Sequence, residues 1–168
     1  LGYRCHIYEP GAAPAGDVAH KVTTAPYEDE AALRAYAATV DVITYEFENV
    51  PTSALDLLES LKPIRPNRRA LAVSQDRIAE KTFLNDLGLQ TAPWAAVNSE
   101  AELAAAAEAL GLPAILKTTR LGYDGKGQVK LDDNSAIAAA WAAMNGAPSV
   151  LEGFVAFDRE VSVIAARG

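Results

Sequence analysis

The chain has 168 residues, 50% of them hydrophobic, and a formal net charge of −7. That composition is globular and excludes a disordered tail, while the acidity argues against nucleic acid or an anionic membrane as the main partner. Cys5 is the only cysteine, which excludes an internal disulfide or a cysteine metal site, and no apolar run reaches the ~20 residues of a membrane helix.

Leu1-Gly2 reads as the end of a helix, and the chain is expected to be cut from something longer at both ends. Strands are expected over 4–8 and 18–23. A helix follows over 29–40, then a strand over 41–45, then a helix from Pro51 to Leu61. Strands alternating with helices predict a parallel open sheet with crossovers. The Pro- and Arg-rich passage Lys62-Pro-Ile-Arg-Pro-Asn-Arg-Arg69 reads as a solvated linker and the candidate boundary. Ser74 is a plausible N-cap for a helix over 74–87, closed by Gly88 in the left-handed region. Arg77 and Lys81 share a face of that helix, and on composition the pair reads as solvated surface.

A second unit follows: a strand over 94–97, a helix over 99–110, a strand over 114–118 and a glycine loop. Then come a strand over 128–131, a helix over 134–144, a strand over 149–152 and a last strand over 160–165. His6 and His20 lack ligand partners at metal spacing, and Trp94 and Trp141 read as core anchors.

The loop after Lys117 is the chemically informative stretch, with glycines at 122, 125 and 127. Glycine lets backbone N–H groups close on phosphate oxygens. A phosphate-binding Walker loop is excluded, because Arg120 and Gly127 stand where it needs Gly and Ser or Thr. The dinucleotide pattern G-x-G-x-x-G is absent, and the loop leads into a strand. The spacing leaves two readings open: a phosphate cradle, or a β-hairpin with a glycine turn. Lys117 ends an otherwise apolar strand, where an ammonium group needs an anionic partner. Lys117, Arg120, Lys126 and Lys130 against Asp124 make a positive patch in an acidic chain.

Asp76-Arg-Ile-Ala-Glu-Lys81, Ile115-Leu-Lys117, Gly122-Tyr-Asp-Gly-Lys-Gly-Gln128, Leu151-Glu-Gly-Phe154 and Asp158-Arg-Glu-Val-Ser162 together resemble the ATP-grasp superfamily. Within it they are similar to the ATP-dependent carboxylases of purine biosynthesis, as are Thr44-Tyr-Glu-Phe-Glu-Asn-Val50 and Thr91-Ala-Pro-Trp94. The resemblance implies an α/β chain: a partial Rossmann-like pre-ATP-grasp domain over 1–70, a connecting helix and linker over 71–92, and the small α+β ATP-grasp lid over 93–168. It implies a cytoplasmic, homodimeric ligase that uses ATP and Mg²⁺. The reaction would carboxylate 5-aminoimidazole ribonucleotide with bicarbonate, through carboxyphosphate, to N5-carboxyaminoimidazole ribonucleotide. The rival readings are a formate-using glycinamide ribonucleotide transformylase-like ligase and a nucleotide-binding module without catalysis.

The resemblance also implies roles. Lys117 would contact the α/β phosphates, and Gly122, Tyr123, Asp124, Gly125, Lys126, Gly127 and Gln128 would cover the β/γ phosphates. Arg77 would be a further ATP contact; Glu152, Gly153, Phe154 and Val155 would form the adenine hinge, with Glu160 on the ribose. Glu46 would reach the ribonucleotide, and Tyr123, Asp124 and Lys126 would face both substrates, with Lys126 and Asp124 the catalytic candidates. The family commonly has Arg at 126; Lys keeps the charge without the bidentate fork. Metal ligands would lie beyond Gly168, so the chain taken alone is expected not to turn over. As ordinary residues, Glu46 and Glu48 read as a wet strand end, and Glu152 and Glu160 as strand-edge carboxylates.

Overall fold

The computed structural model describes residues 2–122 and 126–165. The chain forms two compact units, Leu1–Glu80 and Lys81–Gly168.

In the first unit, β1 (His6–Tyr8) pairs parallel with β2 (Lys21–Thr23), in the register His6↔Lys21, Ile7↔Val22 and Tyr8↔Thr23. Helix α1 (Glu30–Ala37) starts at Asp29, whose carboxylate accepts from the Ala32 N–H. Its buried residues, Leu33, Tyr36 and Ala37, recur at the three- and four-residue spacing of one helix face. Helix α2 (Thr52–Glu59) buries Ala54, Leu55 and Leu58 in the same core.

The strand expected over 41–45 reduces to one parallel bridge, Ile43↔Ile64, with Ile43 N–H on Pro63 O and Arg65 N–H on Ile43 O. The partner segment explains this. Pro63 faces this segment and has no N–H to extend the ladder back toward Asp41. The passage read as a solvated linker is accordingly anchored, for Ile64 is 1% exposed and part of the core.

Two helices occupy the stretch expected as one. Helix α3 (Arg68–Ser74) is capped by Asn67, and Ser74 is its last residue, not the cap of the next. Helix α4 (Arg77–Asp86) starts instead at Asp76, whose Oδ1 accepts from Ile78 and Ala79 N–H. A carboxylate is favoured there by both the capping geometry and the positive end of the helix. Between them, buried Gln75 donates from Nε2 to the Glu48 and Val50 carbonyls, each at 2.6 Å. Gly88 closes α4 at φ +78, with Leu89 N–H on Leu84 O, as its left-handed conformation permits.

The second unit is an antiparallel sheet in the order β3-β6-β4-β5: β3 (Trp94–Val97), β6 (Ser149–Gly153), β4 (Ala114–Thr118) and β5 (Gln128–Leu131). Helix α5 (Glu100–Leu110) is capped by Ser99, which accepts from Glu102 N–H, while the Glu102 carboxylate accepts from Asn98 N–H. A short 3₁₀ turn, Asn134–Ala136, leads into α6 (Ile137–Ala143). Leu103, Ala106 and Ala107 of α5 and Ala140 of α6 share a core with Val97, Leu116, Leu131 and Leu151 of the sheet. The helices therefore cover one face. The open question about the glycine loop is partly answered, because β4 and β5 do form an antiparallel hairpin across it.

The strand expected over 160–165 does not form. Val161, Val163 and Ile164 are 73%, 87% and 99% exposed, and among the described residues nothing pairs with them. Alternation supplies a face to bury, but a strand exists only through a neighbour's hydrogen bonds. Among the described residues no helix is long and apolar enough to cross a membrane.

Candidate functional site

Strand alternation sets up the site. Leu116 enters the helix-covered core, so its neighbour Lys117 stands on the opposite face of the sheet. In β6, Leu151 likewise enters the core, which leaves Glu152 on the Lys117 face. Register places Ile115 opposite Glu152 and Val150 opposite Lys117, so the two charges are diagonal neighbours.

Lys117 Nζ donates to Glu152 Oε2 at 2.8 Å, and Lys81 Nζ of α4 reaches Glu152 Oε1 at 3.1 Å. The side chains of Lys81, Lys117 and Glu152 are only 12%, 19% and 10% exposed. Burial pushes the Glu152 carboxyl up, but the hydrogen bond and charge of Lys117, reinforced by Lys81, outweigh it and hold the group below its ordinary value. Glu152 is therefore an anion at neutral pH, shared by two cations, and the cluster carries one net positive charge.

Lys81 is the residue that sequence reasoning misplaced. By composition it reads as solvated surface, yet it is nearly buried because α4 brings it onto the carboxylate. The available signal was its place in Asp76-Arg-Ile-Ala-Glu-Lys81, four residues after Arg77, which α4 carries one turn earlier. Lys117 has the anionic partner its position demands, and that partner is Glu152.

The glycine loop closes at its base. Gln128 lies opposite Lys117 in register, and Thr118 N–H donates to Gly127 O at 2.8 Å. Gly127 has φ +69, and a Cβ there would sit 2.7 Å from Thr118 Oγ1, so the residue type is dictated twice over. Gly122 and Lys126 of the loop are among the described residues; the expectations placed on Tyr123, Asp124 and Gly125 lie outside them.

After β6 the chain presents backbone donors in sequence. Gly153 N–H is taken by Pro93 O and Phe154 N–H by Pro113 O, at 2.8 and 3.1 Å. Among the described residues the next donor, Val155 N–H, meets no acceptor. The Phe154 ring is half-exposed, with Lys130 Nζ 5.2 Å from its centroid. Glu160 lies in the exposed segment after it. Glu46, by contrast, belongs to the first unit, exposed between the Ile43 bridge and α2. Among the described residues no three His, Cys, Asp or Glu side chains gather as a metal site.

Residues 1–75 match the family model of the ribonucleotide synthetase preATP-grasp domain, and residues 82–168 match that of the ATP-grasp domain. The chain belongs to the ATP-grasp family. Its parallel pair followed by an antiparallel sheet under two helices is the α/β arrangement the sequence led one to expect of an ATP-grasp protein. A curated relative, N5-carboxyaminoimidazole ribonucleotide synthase of Brucella melitensis, is 55% identical over 99% of this chain and 47% of its own length. The crystal structure of N5-carboxyaminoimidazole synthetase from Staphylococcus aureus complexed with ADP superposes with a TM-score of 0.86 at 35% identity, over 92% of this chain and 42% of that one. The synthase from Aspergillus clavatus, in complex with ADP and 5-aminoimidazole ribonucleotide, gives 0.80 at 27% identity, over 91% and 40%. This ATP-grasp chain thus spans about half the length of the curated relatives it matches.

Proposed function

We propose that this ATP-grasp chain binds ATP on the sheet face of its second unit, as part of a ligase that joins bicarbonate to 5-aminoimidazole ribonucleotide. The observation that carries the nucleotide reading is the buried Lys117–Glu152–Lys81 cluster at the foot of a glycine loop. A net cation held at a loop base built for close backbone approach suits a polyphosphate. Val155 N–H, which meets no acceptor among the described residues, is the hinge donor for an adenine ring nitrogen, and the half-exposed Phe154 lies beside it. Glu160 is assigned to the ribose hydroxyls, and Arg77 to a further phosphate contact.

The ligase reading rests on the relatives' names and on the aminoimidazole ribonucleotide bound in the Aspergillus structure. In that reaction ATP, bicarbonate and the ribonucleotide give ADP, phosphate and the N5-carboxylated product. This chain's residues would hold the phosphates, offset their charge and exclude water from a hydrolysable acyl phosphate. Glu46, Tyr123, Asp124 and Lys126 are assigned to the ribonucleotide side, with Lys126 and Asp124 proposed as the catalytic residues. Residues 1–70 are proposed as the substrate-side domain, 71–92 as the connector and 93–168 as the nucleotide lid, in a cytoplasmic homodimer.

Calorimetric titration of the chain with ATP and ADP tests the nucleotide site. Lys117→Ala is expected to weaken binding by about tenfold or more, the scale of one charge-assisted phosphate contact. Unchanged affinity would overturn the reading. In the intact cellular protein, ADP release that needs bicarbonate and the aminoimidazole ribonucleotide supports the ligase assignment. Release that responds to formate instead would refute it.

A further inference from the structure

We propose that Lys81 is a positioning residue, the second counter-ion of Glu152, which lets Lys117 give its ammonium to a bound polyphosphate without stranding a buried carboxylate. The inference rests on the nucleotide reading above and names the device that makes the site exchangeable.

Glu152 uses a different oxygen for each lysine: Oε1 for Lys81 and Oε2 for Lys117. Loss of one partner therefore leaves the other bond intact. Were Lys81 absent, Lys117 and Glu152 would form a closed, neutral pair in a buried position. An incoming phosphate would then have to pull Lys117 away from a carboxylate with no other cation, and an uncompensated charge at that depth is strongly unfavourable. With Lys81 in place Glu152 stays neutralised, whichever anion Lys117 serves.

The two lysines also come from different kinds of support. Lys117 ends a strand beside the glycine loop, where its ammonium can follow a phosphate. Lys81 projects from α4, a helix separate from that loop. Glu152 is moreover continuous with Gly153, Phe154 and Val155, so anchoring its side chain through Lys81 also fixes the start of the proposed adenine hinge. Neither role asks Lys81 to touch the nucleotide.

Lys81→Met, checked for fold by circular dichroism, is expected to weaken ADP binding about tenfold at pH 8, the coupling scale of neighbouring charges. The ratio of wild-type to variant affinity is expected to shrink as pH falls, because Glu152 in the variant has lost one cation and takes up a proton more readily. Adding Glu152→Gln to Lys81→Met removes the stranded charge and is expected to bring affinity back to within about threefold of Glu152→Gln alone. Lys81→Arg, which keeps the counter-ion, is expected to bind ADP as the wild type does. A pH-independent ratio, or no recovery in the double variant, would assign Lys81 a merely structural role and overturn the proposal. Wild-type binding with no change in Lys81→Met would refute this inference alone; no ADP binding by the wild type would refute the nucleotide reading and this inference with it. Should Lys81→Met fail to fold, Lys81→Gln carries the same comparisons.

Discussion

His6 shows how a single side chain can fix its own protonation state. Its Nδ1 lies 2.7 Å from Thr39 Oγ1, and its Nε2 lies 2.8 Å from Thr23 Oγ1. Thr39 already donates its hydroxyl to Tyr36 O, so it accepts from Nδ1–H, and Nε2 is left to accept from Thr23. The arrangement suits the neutral ring. Burial, then the charge of Lys21, lowers the His6 pKa from its ordinary 6.5. The folded state thus binds this proton less readily than the unfolded chain does, so stability is full above pH 6.5 and falls as pH drops below it. Glu152 is depressed too, but from a carboxylate's ordinary 4.5, so its contribution is retained until pH falls below that value. Hydrogen exchange is expected to show the first unit loosening as pH falls below 6.5 while the second holds, with both loosening once pH falls below 4.5. His6→Gln, which can still bond both threonines, is expected to abolish the first phase. Simultaneous loosening in both units would contradict this assignment. None of this was legible in the sequence, where His6 was a histidine without metal partners; its threonines lie 17 and 33 residues away.

At the scale of elements, the sequence was most legible where local pattern and tertiary demand agree. The strands over 94–97 and 114–118 and the Gly88 stop follow from residue type and spacing, whereas the hairpin of β4 and β5 is one of two readings the spacing leaves open. It was misleading where a partner decides. Residues 41–45 have strand composition, yet their ladder stops at one bridge, and Pro63 has no N–H to extend it toward Asp41. Ser74 is a sound cap by type, but Asp76, two residues on, is a better one. Residues 160–165 alternate without pairing. The candidate site divides the same way: Lys117 and the loop were legible from strand and glycine pattern, whereas Lys81 needed the position of α4. The hairpin also yields a test, because Gly127 is constrained by φ +69 and by Thr118 Oγ1 at 2.7 Å from a would-be Cβ. A left-handed non-glycine residue costs about 1–2 kcal/mol, and the contact adds to it. Gly127→Ala is expected to lower the melting temperature of the second unit by about 5–10 °C, from the usual relation for a domain of under 100 residues. Adding Thr118→Ala should recover only part, since it relieves the contact and not the backbone. Full recovery would show that the backbone conformation is unstrained.

Among the described residues two cores form, with no residue in common. One gathers Leu33, Tyr36, Ile43, Leu55, Leu58, Ile64 and Leu71; the other gathers Val97, Leu103, Leu116, Leu131, Met144 and Leu151. Each is drawn wholly from its own compact unit, and the division at Glu80 and Lys81 falls inside α4. That helix buries no residue fully, so it contributes little to either core. Destabilisation is therefore expected to stay local. Leu55 and Leu151 are 2% and 0% exposed, and truncating either to Ala removes a side chain worth about 2–5 kcal/mol at such sites. Leu55→Ala should raise amide exchange across α1, α2 and the Ile43–Ile64 bridge while β3 to β6 keep their protection. Leu151→Ala should do the reverse, and it alone should weaken ADP binding, because Leu151 backs the strand that carries Glu152. Exchange that rises across both units in either variant would mean that the two cores unfold as one, and the nucleotide face would then depend on the packing around Leu55 as much as on its own sheet.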